Sequence, residues 1–211
     1  MNWLQVTRGH APLIVSLPHT GTDIPADIEA RLVSPWLARK DADWWVDRLY
    51  AFAEGMGATI VRTAISRTVI DVNRDPSGAS LYPGQATTEL CPTTTFDGEL
   101  PQFNLGTNGG ASCADALTAT VEAACDASGL SRVTNGRFKG GWTTRHYGRP
   151  ETGVHALQME LACRGYMDDP AEAPTPDTWP TPFHADRAEP LRAVLEDVLN
   201  ACLSFARSPA A

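Results

Sequence analysis

No CxxC pair occurs in this sequence. Its five cysteines, Cys91, Cys113, Cys125, Cys163 and Cys202, are scattered and odd in number. That argues against a disulfide framework and against a thiolate zinc site, and for reduced thiols in a cytoplasmic protein. Basic residues are in deficit: 17 Lys and Arg against 25 Asp and Glu leave a net charge of −8. The chain therefore lacks the electrostatic footprint of a nucleic-acid binder or of a protein that docks on anionic membrane. No apolar run approaches the roughly 20 residues that span a bilayer. The opening MNWLQVTRGH has no basic region followed by an apolar one, so no secretory leader is expected. Internal repeats are absent as well. What is present is ordinary for a globular protein, 43% hydrophobic and 20% charged residues, and the length suits a single domain over 1–211.

Strand-like and helix-like patterns alternate along the chain. LIVSL (13–17) reads as a buried strand, residues 43–56 as a helix, and ATIVRTAIS (58–66) and RTVIDVNR (67–74) as two further strands. Residues 75–111, rich in Pro, Gly, Thr and Asn, read as a long structureless stretch of the kind associated with functional loops. Ser112 to Asp115 has the form of a capping box opening a helix with Leu117, Val121, Ala124 and Cys125 on one face. Strands are expected within 131–138 and 155–162, a loop with five prolines over 168–182, and an amphipathic helix from Leu191 to Cys202. The alternation predicts an α/β fold, with functional residues where strands end in loops.

Three places carry candidate chemistry. His19 follows the first strand and precedes Gly21, with Asp23 four residues on. Imidazole nitrogen and carboxylate oxygen are zinc donors, although a strand-end histidine also serves as a hydrogen-bonded structural residue. Arg67, Asp71, Asn73 and Arg74 form the second cluster: two guanidinium groups suit an anionic substrate, and an internal Arg–Asp ion pair explains the same pattern. The third is Glu160 in LQMEL, an acid where a strand pattern wants an apolar residue. It reads either as a desolvated carboxyl suited to base chemistry or as a solvent-facing strand-edge residue.

Taken together, SLPHTGTDIP, SRTVIDVNRDP, PTTTFDGE, LPQFNLGTNGGAS and NGRFKGGWTTRHYGRPETGVHALQMEL resemble the N-formylglutamate amidohydrolases, over roughly residues 10–168. The resemblance implies a mixed sheet flanked by helices, a fold like that of zinc carboxypeptidases and aspartoacylase (phosphorylase/hydrolase-like). It implies hydrolysis of N-formyl-L-glutamate to glutamate and formate in histidine degradation, with zinc or another divalent metal. By residue, it implies His19 and Asp23 as metal ligands and Arg67 polarising the scissile carbonyl. Glu160 would be the general base, Asn73 and Arg74 would hold a substrate carboxylate, and Arg145 and His146 would contact the second carboxylate. The partner implied is a small anionic substrate. The resemblance also has a gap. In this family a middle segment, ending in a strand that brings another metal-binding histidine, lies between the Phe-x-Gly element and the LPQFNLG element. Here FDGELP runs from one straight into the other, so a central portion after about residue 98 is missing and a weakly held metal is expected. The alternative is a degenerate homologue that binds a small dicarboxylate at most. A carboxypeptidase-like enzyme acting on peptides is a third reading.

Overall fold

The computed structural model describes residues 3–80, 101–170 and 172–208. Cys91, the PTTTFDGE stretch and the junction after residue 98 lie outside them. The chain divides into two compact units, Met1–Asp97 with Asp168–Phe183, and Gly98–Met167 with His184–Ala211. Each holds a mixed three-stranded sheet and helices.

In the first unit the strands are β1 (Leu4–Thr7), β2 (Ile14–Leu17) and β3 (Thr59–Thr63), in the order β1–β3–β2. β1 runs antiparallel to β3, and β2 runs parallel to it. A parallel pair needs a crossover. The chain supplies one through three short helices, α1 (Ala26–Glu29), α2 (Pro35–Lys40) and α3 (Val46–Leu49), and a 3₁₀ turn at Ala51–Glu54. Along β2 the residues alternate, Val15 and Leu17 buried and Ile14 and Ser16 exposed. α2 starts where its sequence directs: Ser34 Oγ accepts from Leu37 N at 3.3 Å, and Pro35 takes the first helical position. The single helix expected over 43–56 is instead broken, because Trp45 adopts the left-handed conformation (φ 65°) and α3 begins only after it.

RTVIDVNR is a second departure. It is a succession of turns and not a strand: Val69 N and Ile70 N both bond to Ser66 O, and Arg74 N bonds to Asp71 O. The Asp71 carboxylate accepts from Asn73 N at 2.9 Å, and such a local side-chain bond competes with a sheet ladder.

The second unit contains β4 (Phe103–Gly106), α4 (Asp115–Ala127), β5 (Arg132–Thr134), α5 (Trp142–Tyr147), β6 (Gln158–Leu161) and α6 (Ala185–Ala206). Its sheet has the order β5–β4–β6, with β5 parallel and β6 antiparallel to β4. β4 is the central strand, yet it lies in the stretch expected to be structureless. All four of its residues are buried, so it carries no alternation to read. α4 packs against α6, and Leu117, Val121 and Cys125 of α4 and Leu191, Leu195, Val198 and Leu203 of α6 are buried. Complete burial of a leucine such as Leu195 stabilises by about 1.5–3 kcal/mol. The capping box is not formed: Ser112 Oγ donates to Ala156 O, and the N–H of Ala114 is taken by His155 Nδ1 at 3.2 Å. α6 starts earlier than expected and continues through Pro190.

The described cysteines form no disulfide. Burial pushes the Cys125 and Cys202 thiols up to about 11, whereas Cys163 is exposed. Iodoacetamide applied to the native chain at about pH 8 should therefore label Cys163 and spare Cys125 and Cys202. Peptide mapping that finds Cys125 modified as readily as Cys163 would contradict this packing.

Candidate active site

The residues of the second sequence cluster meet at one carboxylate. Asp71 is fully buried, and both its oxygens are occupied. Oδ1 receives His19 Nε2 at 2.8 Å and the backbone N–H of Asn73 at 2.9 Å. Oδ2 receives Arg67 Nη2 at 2.7 Å, with Arg74 Nη1 at 3.4 Å. Burial alone would raise the Asp71 pKa, but the His19 hydrogen bond and the charges of His19, Arg67 and Arg74 outweigh it and hold the carboxyl far below the usual carboxylate range. The Arg–Asp ion pair that the sequence left open is thus present, and it is part of a larger cluster. Arg67 Nε lies 3.7 Å from Asp41 Oδ2. Its remaining nitrogen, Nη1, makes no hydrogen bond to a described residue.

His19 reaches this cluster because β2 ends in a tight turn. A Cβ on Gly21 would lie 2.3 Å from Ile65 O, so the chain can pass there only as glycine. The His19 carbonyl then accepts from Asp43 N at 2.9 Å, which brings Asp43 to the other side of the imidazole, with Oδ2 3.6 Å from Nδ1. Desolvation and the Arg67 charge oppose protonation of His19. The nearby carboxylates of Asp43 and Asp71 overcome them, and its pKa is raised. The Asp43 carboxyl is correspondingly held below its ordinary value, against a desolvation effect of the opposite sign.

Asp23, expected beside His19, is not there. It is exposed, bridged to Ile65 through its backbone, and its side chain forms no hydrogen bond or ion pair with a described residue. Sequence reasoning missed Asp43, which stands in KDADWW and reads as an ordinary acid ahead of a helix. The available signal was a pair of acids, Asp41 and Asp43, directly before two tryptophans. Nδ1 of His19 and Oδ2 of Asp43 are donor types that zinc takes, and a carboxylate such as Asp71 on the opposite ring nitrogen is the kind of partner that would orient a histidine toward a metal. These donors suit a divalent cation but are two in number. Among the described residues no group of three or more His, Cys, Asp and Glu is gathered for a metal.

Glu160, Arg145 and His146 belong to the second unit. Glu160 is half-buried on β6, opposite Asn104 of β4, and its Oε1 accepts from Gln158 Nε2 at 2.5 Å. Arg145 Nε donates to Gly140 O at 2.8 Å. His146 is exposed and stacks on Trp142 with ring centroids 4.1 Å apart.

Comparison with known proteins gives a consistent picture. The profile of the N-formylglutamate amidohydrolase family matches residues 11–100 and, as a second segment, 95–167. An N-formylglutamate deformylase of Pseudomonas aeruginosa is 38% identical over 267 aligned positions, covering 97% of each chain. One of Pseudomonas putida is 33% identical over 265 positions, covering 96% of each. Among solved structures, N-formylglutamate amidohydrolase from Ralstonia eutropha JMP134 superposes with a TM-score of 0.78 at 18% identity, over 98% of this chain and 99% of that one. A gene product of Agrobacterium tumefaciens gives a TM-score of 0.63 at 14% identity, over 96% and 94%. Both share the fold.

Removing the charge at the hub should be costly. Asp71→Asn takes from the buried Arg67 its nearest counter-charge, and a loss of about 3–5 kcal/mol in urea unfolding is expected. Because the folded pKa of Asp71 lies below the unfolded value of about 4, its contribution is complete above that pH and drains away as the pH falls further toward the folded value. The variant should lose this acid-side slope. Equal stability of the two proteins at pH 7 would remove Asp71 from the centre of the site.

Proposed function

This chain belongs to the N-formylglutamate amidohydrolase family, a family of hydrolases, and we propose that it cleaves N-formyl-L-glutamate to L-glutamate and formate. The observation that carries the reading is the convergence of His19, Arg67, Asn73 and Arg74 on Asp71. It gathers cationic and polar groups suited to an acidic amide substrate around an imidazole with a metal-type donor environment.

In this reading Arg67 directs Nη1 at the formyl oxygen, where negative charge grows as the carbonyl carbon becomes tetrahedral. Its other nitrogens face Asp71 and Asp41, so the guanidinium keeps its orientation throughout. The family resemblance assigns one substrate carboxylate to Asn73 and Arg74, and the other to Arg145 and His146. Glu160 accepts a proton from the attacking water and returns it to the departing amine, so the C–N bond breaks without expelling an amide anion. His19 and Asp43 would hold zinc or another divalent cation, which when bound supplies Lewis-acid polarisation and acidifies water.

We also read the two units as one domain of the zinc-carboxypeptidase and aspartoacylase type from which a central portion is missing. Three observations support it. The family profile matches in two segments that share residues 95–100. An alignment of 267 positions against a chain of 211 residues leaves dozens of positions of the relative without a counterpart. The first sheet carries Leu4, Val6 and Ile14 on one face, 37%, 46% and 69% exposed, an apolar surface of the kind that a further element covers. Thiols outside disulfides fit a cytoplasmic location.

Two measurements test these readings. Glu160→Gln keeps the shape and removes the proton acceptor, so kcat for formate release should fall by roughly 10²–10⁴-fold, with little change in substrate binding. Near-normal turnover would make Glu160 a structural residue. With two protein ligands where zinc sites ordinarily use three, elemental analysis should find less than one metal per chain. Insertion of a relative's central segment after Gly98 should raise both metal content and turnover. One tightly held zinc in the unaltered chain would sink the idea of an incomplete site.

A further inference from the structure

On β6 the side chains of Gln158 and Glu160 share one face of the sheet, two residues apart. The antiparallel register sets Gly106 opposite Gln158 and Asn104 opposite Glu160, so four positions of β4 and β6 form one small surface. The loop leading into α5 lies directly on it. A Cβ on Gly106 would come within 2.7 Å of Gly140 N and 2.8 Å of Lys139 C, so that approach requires glycine. Asn104 is buried and holds the loop from below, its amide donating to Phe138 O at 2.6 Å and its oxygen accepting from Phe138 N at 3.4 Å.

Gln158 makes the second attachment. Its Oε1 accepts the backbone N–H of Gly141 at 2.6 Å, and its Nε2 donates to Glu160 Oε1 at 2.5 Å. These partners fix the amide's orientation, since a backbone N–H must meet the oxygen and a carboxylate must meet the NH₂. We infer that Gln158 is a positioning residue for the proposed base. It locks the Glu160 carboxylate to the loop that begins α5 and pins Oε1. The inference rests on the reading of Glu160 as general base. Methionine or leucine at 158 would pack in the strand equally well, but neither could join Gly141 to Glu160.

The test is a double-mutant cycle with an optical readout that does not depend on turnover. Gln158→Met should lower kcat for formate release about 10- to 100-fold, with KM within about twofold, because it misplaces the base and spares the groups that bind substrate. In the Glu160→Gln background the same substitution should have no further effect on kcat, since its action passes through Glu160. In infrared spectra, the antisymmetric carboxylate band that disappears in Glu160→Gln should shift in Gln158→Met, reporting the lost hydrogen bond. Should that variant misfold, Gln158→Leu removes the same two bonds and should give the same kcat loss. Additive losses in the double variant, an unmoved carboxylate band, or a loss expressed in KM would each overturn the inference. A wild-type chain that releases no formate, or a Glu160→Gln variant as active as wild type, overturns the base assignment instead. The carboxylate band then decides by itself whether Gln158 holds Glu160.

Discussion

A single buried carboxylate organises the first unit. Asp71 accepts from an imidazole, a guanidinium and a backbone N–H, with a second guanidinium in ion-pair range. Without those partners, an ionised carboxyl with no exposed surface would be far too costly to bury. The dependence also runs the other way. Arg67 is itself buried, and it stays so because Asp71 and Asp41 balance its charge. Turns rather than a strand over 67–74 follow from the same requirement, since the backbone must fold back for Asn73 to reach the carboxylate that its neighbours surround.

The legibility of each element follows from the range of the forces that form it. The strand ending at Leu17 and the stripe of α6 were readable because a one-sided burial pattern leaves its period in the sequence. β4 was not, because a strand buried on both faces has no period, and its Phe-Asn-Leu-Gly resembles the loop residues around it. RTVIDVNR misled in the opposite way. Its β-branched residues and alternation promise a strand, but the Asx-type bond of Asp71 and the pull of His19 from 52 positions away decide otherwise. Among the candidate site residues, those in the two motifs with unusual composition, His19 and the Arg67–Arg74 group, were visible. Asp43 was not, because its significance comes from the His19 carbonyl that ties its backbone, a tertiary bond without a sequence signature. Asp23 attracted attention by proximity along the chain alone, and proximity along the chain says little about which carboxylate faces an imidazole.

In each sheet a central strand has one parallel and one antiparallel neighbour. β3 and β2 lead toward His19, and β4 and β6 carry Asn104, Gln158 and Glu160. In each case a glycine without room for a side chain permits the decisive approach, Gly21 against Ile65 and Gly106 against the Lys139–Gly140 backbone. The polar groups that matter most are thus held by backbone geometry first and by side-chain bonds second, an arrangement that keeps donors and acceptors in register.

The path of the chain has a consequence for its synthesis. The first unit is completed by Asp168–Phe183, which lies beyond most of the second unit in the chain and supplies Thr181, whose carbonyl anchors the Trp45 indole at 2.9 Å. A ribosome adding roughly 5–20 residues per second therefore leaves the first unit unfinished for on the order of ten seconds while it makes the intervening residues. During that interval the Trp45 indole has no carbonyl from Thr181 to bond to. The nascent N-terminal half must wait for a late strap before it closes, so the vectorial order of translation and the order of assembly do not coincide.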